Sequence, residues 1–151
     1  MALGFCILSS GIGPITEALK AHVSVRSLHL EYCDLCESDG VDLADMLVEN
    51  AGITELRLSS NKLGARGVWA VAWALANWNN TLHTLQIGDH SFGRRGLAAV
   101  VCMLKRNQSL EELGVTWERD KEMHKVVRSL LKDDRVNPSA GDNFALRWSA
   151  A

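Results

Sequence analysis

Two cysteines separated by two residues form the motif most suggestive of chemistry in this sequence, Cys33-Asp-Leu-Cys36. Redox enzymes place such a pair at a helix start in a different βαβ setting, and a structural zinc site needs four ligands. The sequence has no second CxxC and no pair of histidines at ligand spacing. We therefore predict no metal site and interpret Cys33 as a structural thiol.

The histidines offer no better case for catalysis, because His22, His29, His83, His90 and His124 are dispersed along the chain. No serine or cysteine accompanies them in a way that would assemble a nucleophile, a base and an orienting acid. The glycines of Gly11-Ile-Gly13 are too close for a phosphate-binding loop, and no Lys-Ser or Lys-Thr pair follows them. The sequence predicts no catalytic residues, no cofactor and no enzymatic activity.

Composition narrows the class of protein further. The 151 residues are 47% hydrophobic, which suffices for one domain with an ordinary core. A formal net charge of −2 and a pI near 6.2 give no general field that would attract nucleic acid or an anionic membrane. The four cysteines are too few and too scattered for a disulfide framework. We expect a soluble, cytoplasmic protein without nucleic-acid or membrane partners.

One apolar pattern occurs four times and organises most of the chain. It has apolar residues at its first, fourth and sixth places, and it starts at Val25, Ile53, Leu82 and Leu110, at intervals of 28, 29 and 28 residues. Self-similarity at this period indicates units that cannot bury their own apolar face and must stack on copies of themselves. The pattern predicts a repeat architecture.

Each unit is predicted to contain a strand, a turn and a helix. The alternation at the start of the unit places its apolar side chains on one strand face, whereas later apolar trios at i, i+1 and i+4 share one helix face. These trios are Leu43, Ala44 and Leu47, then Val71, Ala72 and Leu75, then Val100, Val101 and Leu104. A small residue at the fifteenth place precedes each trio, so we predict the middle helix over Gly67 to Trp78. Asn79 and Asn107, although in glycosylation triplets, are expected to serve the helix-to-strand turns.

The segment from Leu56 to Gly67, LRLSSNKLGARG, followed by an alanine-rich helix, resembles the leucine-rich repeats of the ribonuclease-inhibitor type. The same repeats occur in nucleotide-binding immune receptors. The resemblance implies a right-handed α/β solenoid of about four to five repeats, with parallel strands on the concave side and helices on the convex side. We assign residues 1–132 to this repeat domain, with a closing helix over residues 121–132. Residues 133–151 form a C-terminal tail, for which there are two alternatives: it folds back as a strand or cap, or it begins a further segment.

The places between the leucines give a candidate binding surface on the concave side. It is a mixed polar floor with charges of both signs and aromatic edges, and Tyr, Trp and Arg are common anchors at protein interfaces. Gly88 and Gly114 leave room for a partner to approach closely. The alternative is a merely solvated sheet face. The candidate residues are Arg26, His29, Glu31, Tyr32, Glu55, Arg57, Gln86, Asp89, Glu112 and Trp117.

A second candidate surface lies on the convex side. When Val71 and Leu75 are assigned inward, Trp69 and Trp73 fall one turn apart on the outer side of the middle helix, with Trp78 just beyond. Such an apolar surface favours a contact with a partner or with a second copy. The alternatives are that the rings belong to the core between helices or that the C-terminal tail covers them.

These features favour a non-enzymatic protein-protein interaction module or scaffold subunit that binds a protein through its concave strand face. One alternative is a self-assembling architectural segment that uses the convex tryptophans and an open N-terminal end, as a homo-oligomer or as a subunit of a larger assembly. Another is a regulator that acts on an enzyme by occlusion. The sequence does not identify the partner.

Overall fold

Strands and helices alternate along the part of the chain that the computed structural model describes, which comprises residues 11–88, 92–115, 136–138 and 145–148. The helices are α1 (Gly13–Leu19), α2 (Glu37–Glu49), α3 (Gly64–Asn77) and α4 (Gly93–Arg106). The strands are β1 (Ser27–His29), β2 (Glu55–Arg57), β3 (Thr84–Gln86), β4 (Glu112–Gly114), β5 (Val136–Pro138) and β6 (Ala145–Trp148).

The strands form one sheet in the order β1-β2-β3-β4-β6-β5. The pairs β1–β2, β2–β3 and β3–β4 are parallel, and Leu28, Leu56, Leu85 and Leu113 lie in register across the four strands. One helix connects each parallel strand to the next. This arrangement confirms the predicted α/β solenoid of strand-turn-helix units.

The core lies between the sheet and the helices, where the repeated apolar places converge. At the fourth and sixth places, Leu28, Leu30, Leu56 and Leu58 are fully buried, as are the equivalent residues of the later units. The helical trios also face this core, with Val101 the only member that is not fully buried. Both periodicities therefore predicted the buried faces correctly.

The helices begin earlier than predicted, since α3 starts at Gly64 and not at Gly67. Gly67, at the fifteenth place of its repeat, lies inside α3, where it allows α2 to approach. A Cβ atom on Gly40 of α2 would lie 2.5 Å from the Cα of Gly67 in α3. The backbones of α2 and α3 are therefore in contact at these glycines.

Buried asparagines join each helix-to-strand turn to the turn of the preceding repeat. Asn79 Nδ2 donates to the carbonyls of Leu47 and Asn50, and its Oδ1 accepts from the N–H groups of Thr81 and Leu82. Asn50 and Asn107 make the same four-bond pattern in their own turns. Asn79 and Asn107 are 3% and 6% exposed, so in the folded chain their amides serve the turns, as expected.

A different asparagine holds the strand-to-helix side. Asn61 Oδ1 accepts from the N–H groups of Cys33 and Leu35, while its Nδ2 donates to the carbonyls of Leu30 and Leu58. These bonds connect one repeat to the next at the end of the strands where the loops leave the sheet. The outward residues of β1 and β2 thus lie between the turn asparagines on one side and the hydrogen bonds of Asn61 on the other.

Asp39 plays a comparable part at the start of α2. Its carboxylate accepts from the N–H groups of Cys36, at 2.8 Å, and Ile12, at 3.0 Å, and so caps the helix and ties it to the residue before α1. Burial raises the pKa of Asp39, but these hydrogen bonds outweigh burial and the pKa lies below its usual 3.8.

The C-terminal part of the sheet changes direction. β6 pairs antiparallel with β4, placing Leu146 beside Leu113, and β5 pairs antiparallel with β6. The closing helix predicted over residues 121–132 lies outside the described residues, and the division into residues 1–132 and 133–151 stays a prediction. Among the described helices, none has the length and apolar character that crossing a membrane requires.

Candidate functional site

The outward side chains of the four parallel strands form a surface that we call the strand face. It consists of Ser27 and His29 on β1, Glu55 and Arg57 on β2, Thr84 and Gln86 on β3, and Glu112 and Gly114 on β4. Because side chains alternate across a strand, these residues point away from the buried leucines between them. The structure therefore brings five of the predicted concave residues together: His29, Glu55, Arg57, Gln86 and Glu112.

Glu55 is the centre of a polar cluster on this face. Its Oε2 accepts a 2.8 Å hydrogen bond from Ser27 Oγ on the neighbouring strand. Its Oε1 lies 2.6 Å from both Nε and Nη2 of Arg57 on its own strand. Two charged groups of opposite sign are therefore held in one geometry before any partner arrives.

The same carboxylate lies beside an imidazole. His29 Nε2 is 3.5 Å from Glu55 Oε1, is shielded from solvent, and has no hydrogen-bond partner among the described residues. The contact is electrostatic and becomes an ion pair only when the imidazole is protonated. The hydrogen bond from Ser27 lowers the pKa of Glu55, burial opposes this effect, and Arg57 and His29 lower the pKa further.

A second cross-strand contact lies on β3 and β4, where Gln86 Nε2 donates to Glu112 Oε1 at 3.2 Å. The Gln86 side chain also covers Gly114, since a Cβ atom there would overlap its carboxamide. The room expected above Gly114 is therefore taken by this chain's own glutamine.

The other predicted concave residues lie at the margins. Tyr32 follows β1 with a φ of 57°, its N–H donates to the Ser59 carbonyl, and its side chain is 56% exposed. Glu31 precedes it and is half-buried. Arg26 lies just before β1, where its Nη1 donates to the Gly52 carbonyl at 3.0 Å. Asp89 and Trp117 lie outside the described residues.

The predicted convex tryptophans are on the surface of α3. Trp69 and Trp73 are 52% and 45% exposed, and their rings stack with centroids 6.5 Å apart. Trp78, at the end of the helix, is 59% exposed with its ring centroid 6.4 Å from that of Trp73. The rings are thus not part of the core between helices, and we call them the tryptophan patch.

The two cysteines of the CxxC motif have different environments. Cys33 is buried, and its thiol donates to the Glu31 carbonyl at 3.4 Å. Cys36 is exposed, and its Sγ lies 3.0 Å from Ser38 Oγ. Neither thiol forms a disulfide in the described part of the chain. Among the described residues, no group of three His, Cys, Asp or Glu side chains is placed to hold a metal ion.

The sequence indicated a turn role for Asn79 and Asn107 but not for Asn50, which makes the same hydrogen bonds. All three lie three residues before a repeat start, a regularity that would have identified Asn50. Ser27 gave no comparable signal, because its importance comes from the distance to Glu55 across two strands.

Comparisons with known proteins agree with this architecture. A family model described as "Leucine Rich repeat" matches residues 50–72. The ribonuclease inhibitor of Sus scrofa is 33% identical over 98 residues, which cover 65% of this chain and 22% of that protein. The ribonuclease inhibitor of Mus musculus is 30% identical over 125 residues, which cover 81% and 27%. The chain thus spans about a quarter of the length of these relatives.

A solved structure extends the similarity from sequence to fold. It is described as "Leiomodin-1 Actin-Binding Site 2 (ABS2)" and superposes with a TM-score of 0.69 at 27% identity, covering 87% of this chain and 78% of that one. Leiomodin-1 of Homo sapiens is 31% identical in sequence over 115 residues, which cover 75% of this chain and 19% of that protein. With its parallel strands, alternating helices and 28- to 29-residue period, the chain is a leucine-rich repeat protein of the ribonuclease-inhibitor type.

Proposed function

We propose that this chain is a non-enzymatic interaction module that binds a protein partner on its strand face. The observation that carries the proposal is the ordered polar cluster around Glu55, which a hydrogen bond between β1 and β2 and an ion pair within β2 hold in place. Association loses conformational entropy when flexible side chains become fixed in an interface. A surface whose charged side chains are already fixed loses less of this entropy when it binds.

The anchors of this surface are its exposed large side chains. Arg57 retains 45% exposure in its side chain although it pairs with Glu55, and Tyr32 is 56% exposed beside the same strands. Tyrosine and arginine are enriched among the residues that contribute most of the binding energy in protein interfaces. We therefore assign the main contacts to Arg57 and Tyr32.

The relatives support a macromolecular partner. One is named as an inhibitor of ribonuclease, and the solved structure is described as an actin-binding site. Those partners belong to those proteins. What this chain shares with them is the repeat fold, on which the side chains between the leucines vary from one protein to another.

The test begins with affinity capture from an extract of the source cells and identification of the captured protein. The dissociation constant of that protein is then measured for the wild type and for the double variant Arg57→Ala/Tyr32→Ala. We expect the double variant to weaken binding by about 100-fold, since two anchors are lost.

The matched control is Arg66→Ala, which removes an exposed arginine from α3 on the opposite side of the molecule. This variant should bind the partner as the wild type does. Equal affinities for the wild type and the double variant would exclude the strand face as the binding site.

A further inference from the structure

The outer surface formed by α2, α3 and α4 has an apolar centre with no cover in the described part of the chain. Trp69 and Trp73 stack at this centre, and a groove of about 300 Å³ between α2 and α3 continues it past Val41 and Ala44. The charged side chains of Asp45 and Arg66 also line this groove. Exposed apolar patches of this kind mark interaction sites in soluble proteins.

The two helices that flank this centre carry opposite charges. α2 contains five acidic residues and no basic one: Glu37, Asp39, Asp42, Asp45 and Glu49. α4 contains four basic residues and no acidic one: Arg94, Arg95, Lys105 and Arg106. Within the described residues, Glu37, Asp45 and the four basic groups of α4 take part in no ion pair. Asp39 is buried and Glu49 pairs with Lys20 at 3.2 Å, so the charges available to a partner are those of Glu37 and Asp45 on α2 and of the four basic groups on α4.

The opposite charges lie at matching heights along the two helices. Glu37 and Arg94 are separated by 57 residues, and so are Glu49 and Arg106, which is the combined length of two repeats. Equivalent positions in stacked repeats lie side by side. Each end of acidic α2 thus corresponds to a basic end of α4.

We propose that a second copy of this chain docks on this surface, with a twofold axis running parallel to α3. This axis places α3 of one copy against α3 of the other. It also places α2 of each copy against α4 of the other, and this contact occurs twice, as a twofold interface requires. The tryptophan patches then meet at the centre while acidic and basic flanks meet on both sides. A twofold axis perpendicular to the helices would instead oppose α2 to α2, which like charges disfavour.

The shape of the surface is compatible with this contact. Neighbouring strands are about 4.8 Å apart and packed helices about 8–10 Å, so the helices fan outward and the surface bulges at α3. The large indoles occupy the bulge, and long Glu and Arg side chains span the wider gaps at the flanks. Three helices of this length present roughly 600 Å², below the roughly 800 Å² per partner of a standard interface. We therefore expect a dimer that forms at micromolar concentrations.

Sedimentation equilibrium between 1 and 200 μM tests whether the dimer exists. The wild type should dimerise in this range, and Trp69→Ser/Trp73→Ser should weaken the dimer by at least about 30-fold. Lys62→Ala, which changes an exposed residue outside the three helices, should behave as the wild type does. A wild type that remains monomeric at 200 μM, or a dimer indifferent to the tryptophan substitutions, would overturn the proposal.

Charge reversal tests the flanks. Glu37→Arg/Glu49→Arg and Arg94→Glu/Arg106→Glu should each be monomeric alone, because their flanks repel in the homodimer. An equimolar mixture of the two should form a heterodimer. On one side, the basic α2 of the first variant then faces the acidic α4 of the second, and on the other side the unchanged basic α4 of the first faces the unchanged acidic α2 of the second. Circular dichroism verifies that each variant is folded. A mixture that stays monomeric would refute the charge pairing.

Cross-linking tests the direction of the axis. Asp45 and the exposed Cys102 occupy equivalent places on α2 and α4, so the proposed axis brings Asp45 of one copy opposite Cys102 of the other. In a Cys6→Ser/Cys36→Ser background, Asp45→Cys should give a dimer with a short bis-maleimide. Adding Cys102→Ser to this variant should abolish the cross-linked dimer. Cross-linking that persists without Cys102 would contradict the axis, and because the strand face is not involved, the result is independent of the binding proposed above.

Discussion

Gly40 of α2 and Gly67 of α3 are in backbone contact, and a Cβ atom on Gly40 would lie 2.5 Å from the Cα of Gly67. The contact sets how closely the two helices pack and therefore how α3 presents its outward residues. A methyl group cannot be accommodated at this point unless one backbone shifts, because neither atom belongs to a flexible side chain.

Gly40→Ala should therefore destabilise the fold by about 3 kcal/mol, at the upper end of the usual range for overpacking. Urea denaturation gives the free energy of unfolding. Ser38→Ala, an exposed substitution on the same helix, is the control and should change stability by less than about 0.5 kcal/mol. A Gly40→Ala protein as stable as the wild type would show that the helices can separate without cost.

Asn79→Ala should cost about 3 kcal/mol of stability. The substitution removes an amide that satisfies four buried backbone groups in two successive turns, and buried groups left without partners are costly. The neighbouring Asn80 is exposed, so Asn80→Ala is a control that differs by one position in the same turn. Chemical denaturation of both variants should give a large loss for the first and a change below about 0.5 kcal/mol for the second. Equal losses would mean that the turn, and not the hydrogen bonds, is responsible.

Acid should remove the contribution of the Glu55 carboxylate to stability. Its folded-state pKa is lowered from the ordinary 4.5, chiefly by the hydrogen bond from Ser27. The folded chain then binds fewer protons than the unfolded chain, so the carboxylate stabilises the fold above about pH 4.5 and loses this effect as the pH falls through its folded-state pKa. The difference in unfolding free energy between the wild type and Glu55→Gln should be largest near pH 7 and shrink below pH 4.5. A difference that does not vary with pH would contradict this assignment.

The three described thiols should differ in reactivity. Cys36 and Cys102 are exposed, whereas Cys33 is 1% exposed behind the strand-to-helix turn. The experiment uses a Cys6→Ser background at 1 μM protein. A colorimetric thiol reagent should modify Cys36 and Cys102 quickly and Cys33 only after unfolding, because the rate depends on whether the reagent can reach the thiol. Adding Cys33→Ser should remove the slow group alone. Three equally fast thiols would show that the turn around Cys33 opens readily.

The repeat period predicted most of the fold, because Leu28, Leu56, Leu85 and Leu113 can be buried together only if their strands lie in parallel register. It also predicted that Arg57 and Glu55 point outward. The repeat period did not predict that Arg57 and Glu55 pair with each other. That pairing depends on the rotamer of each side chain, and each has several neighbours with which it could interact. The start of α3 was predicted too late. Gly67, which allows contact between helices, cannot be distinguished in the sequence from a glycine that begins a helix.

The antiparallel pairing of β6 with β4 closes one border of the parallel strands. A stack of like-oriented coils has no inherent end, since its last strand exposes the same unpaired groups as its first. β6 covers these groups on the β4 side and runs in the reverse sense. On the β1 side, no other described strand pairs with the sheet. A parallel coil that paired with β4 would therefore first have to displace β6.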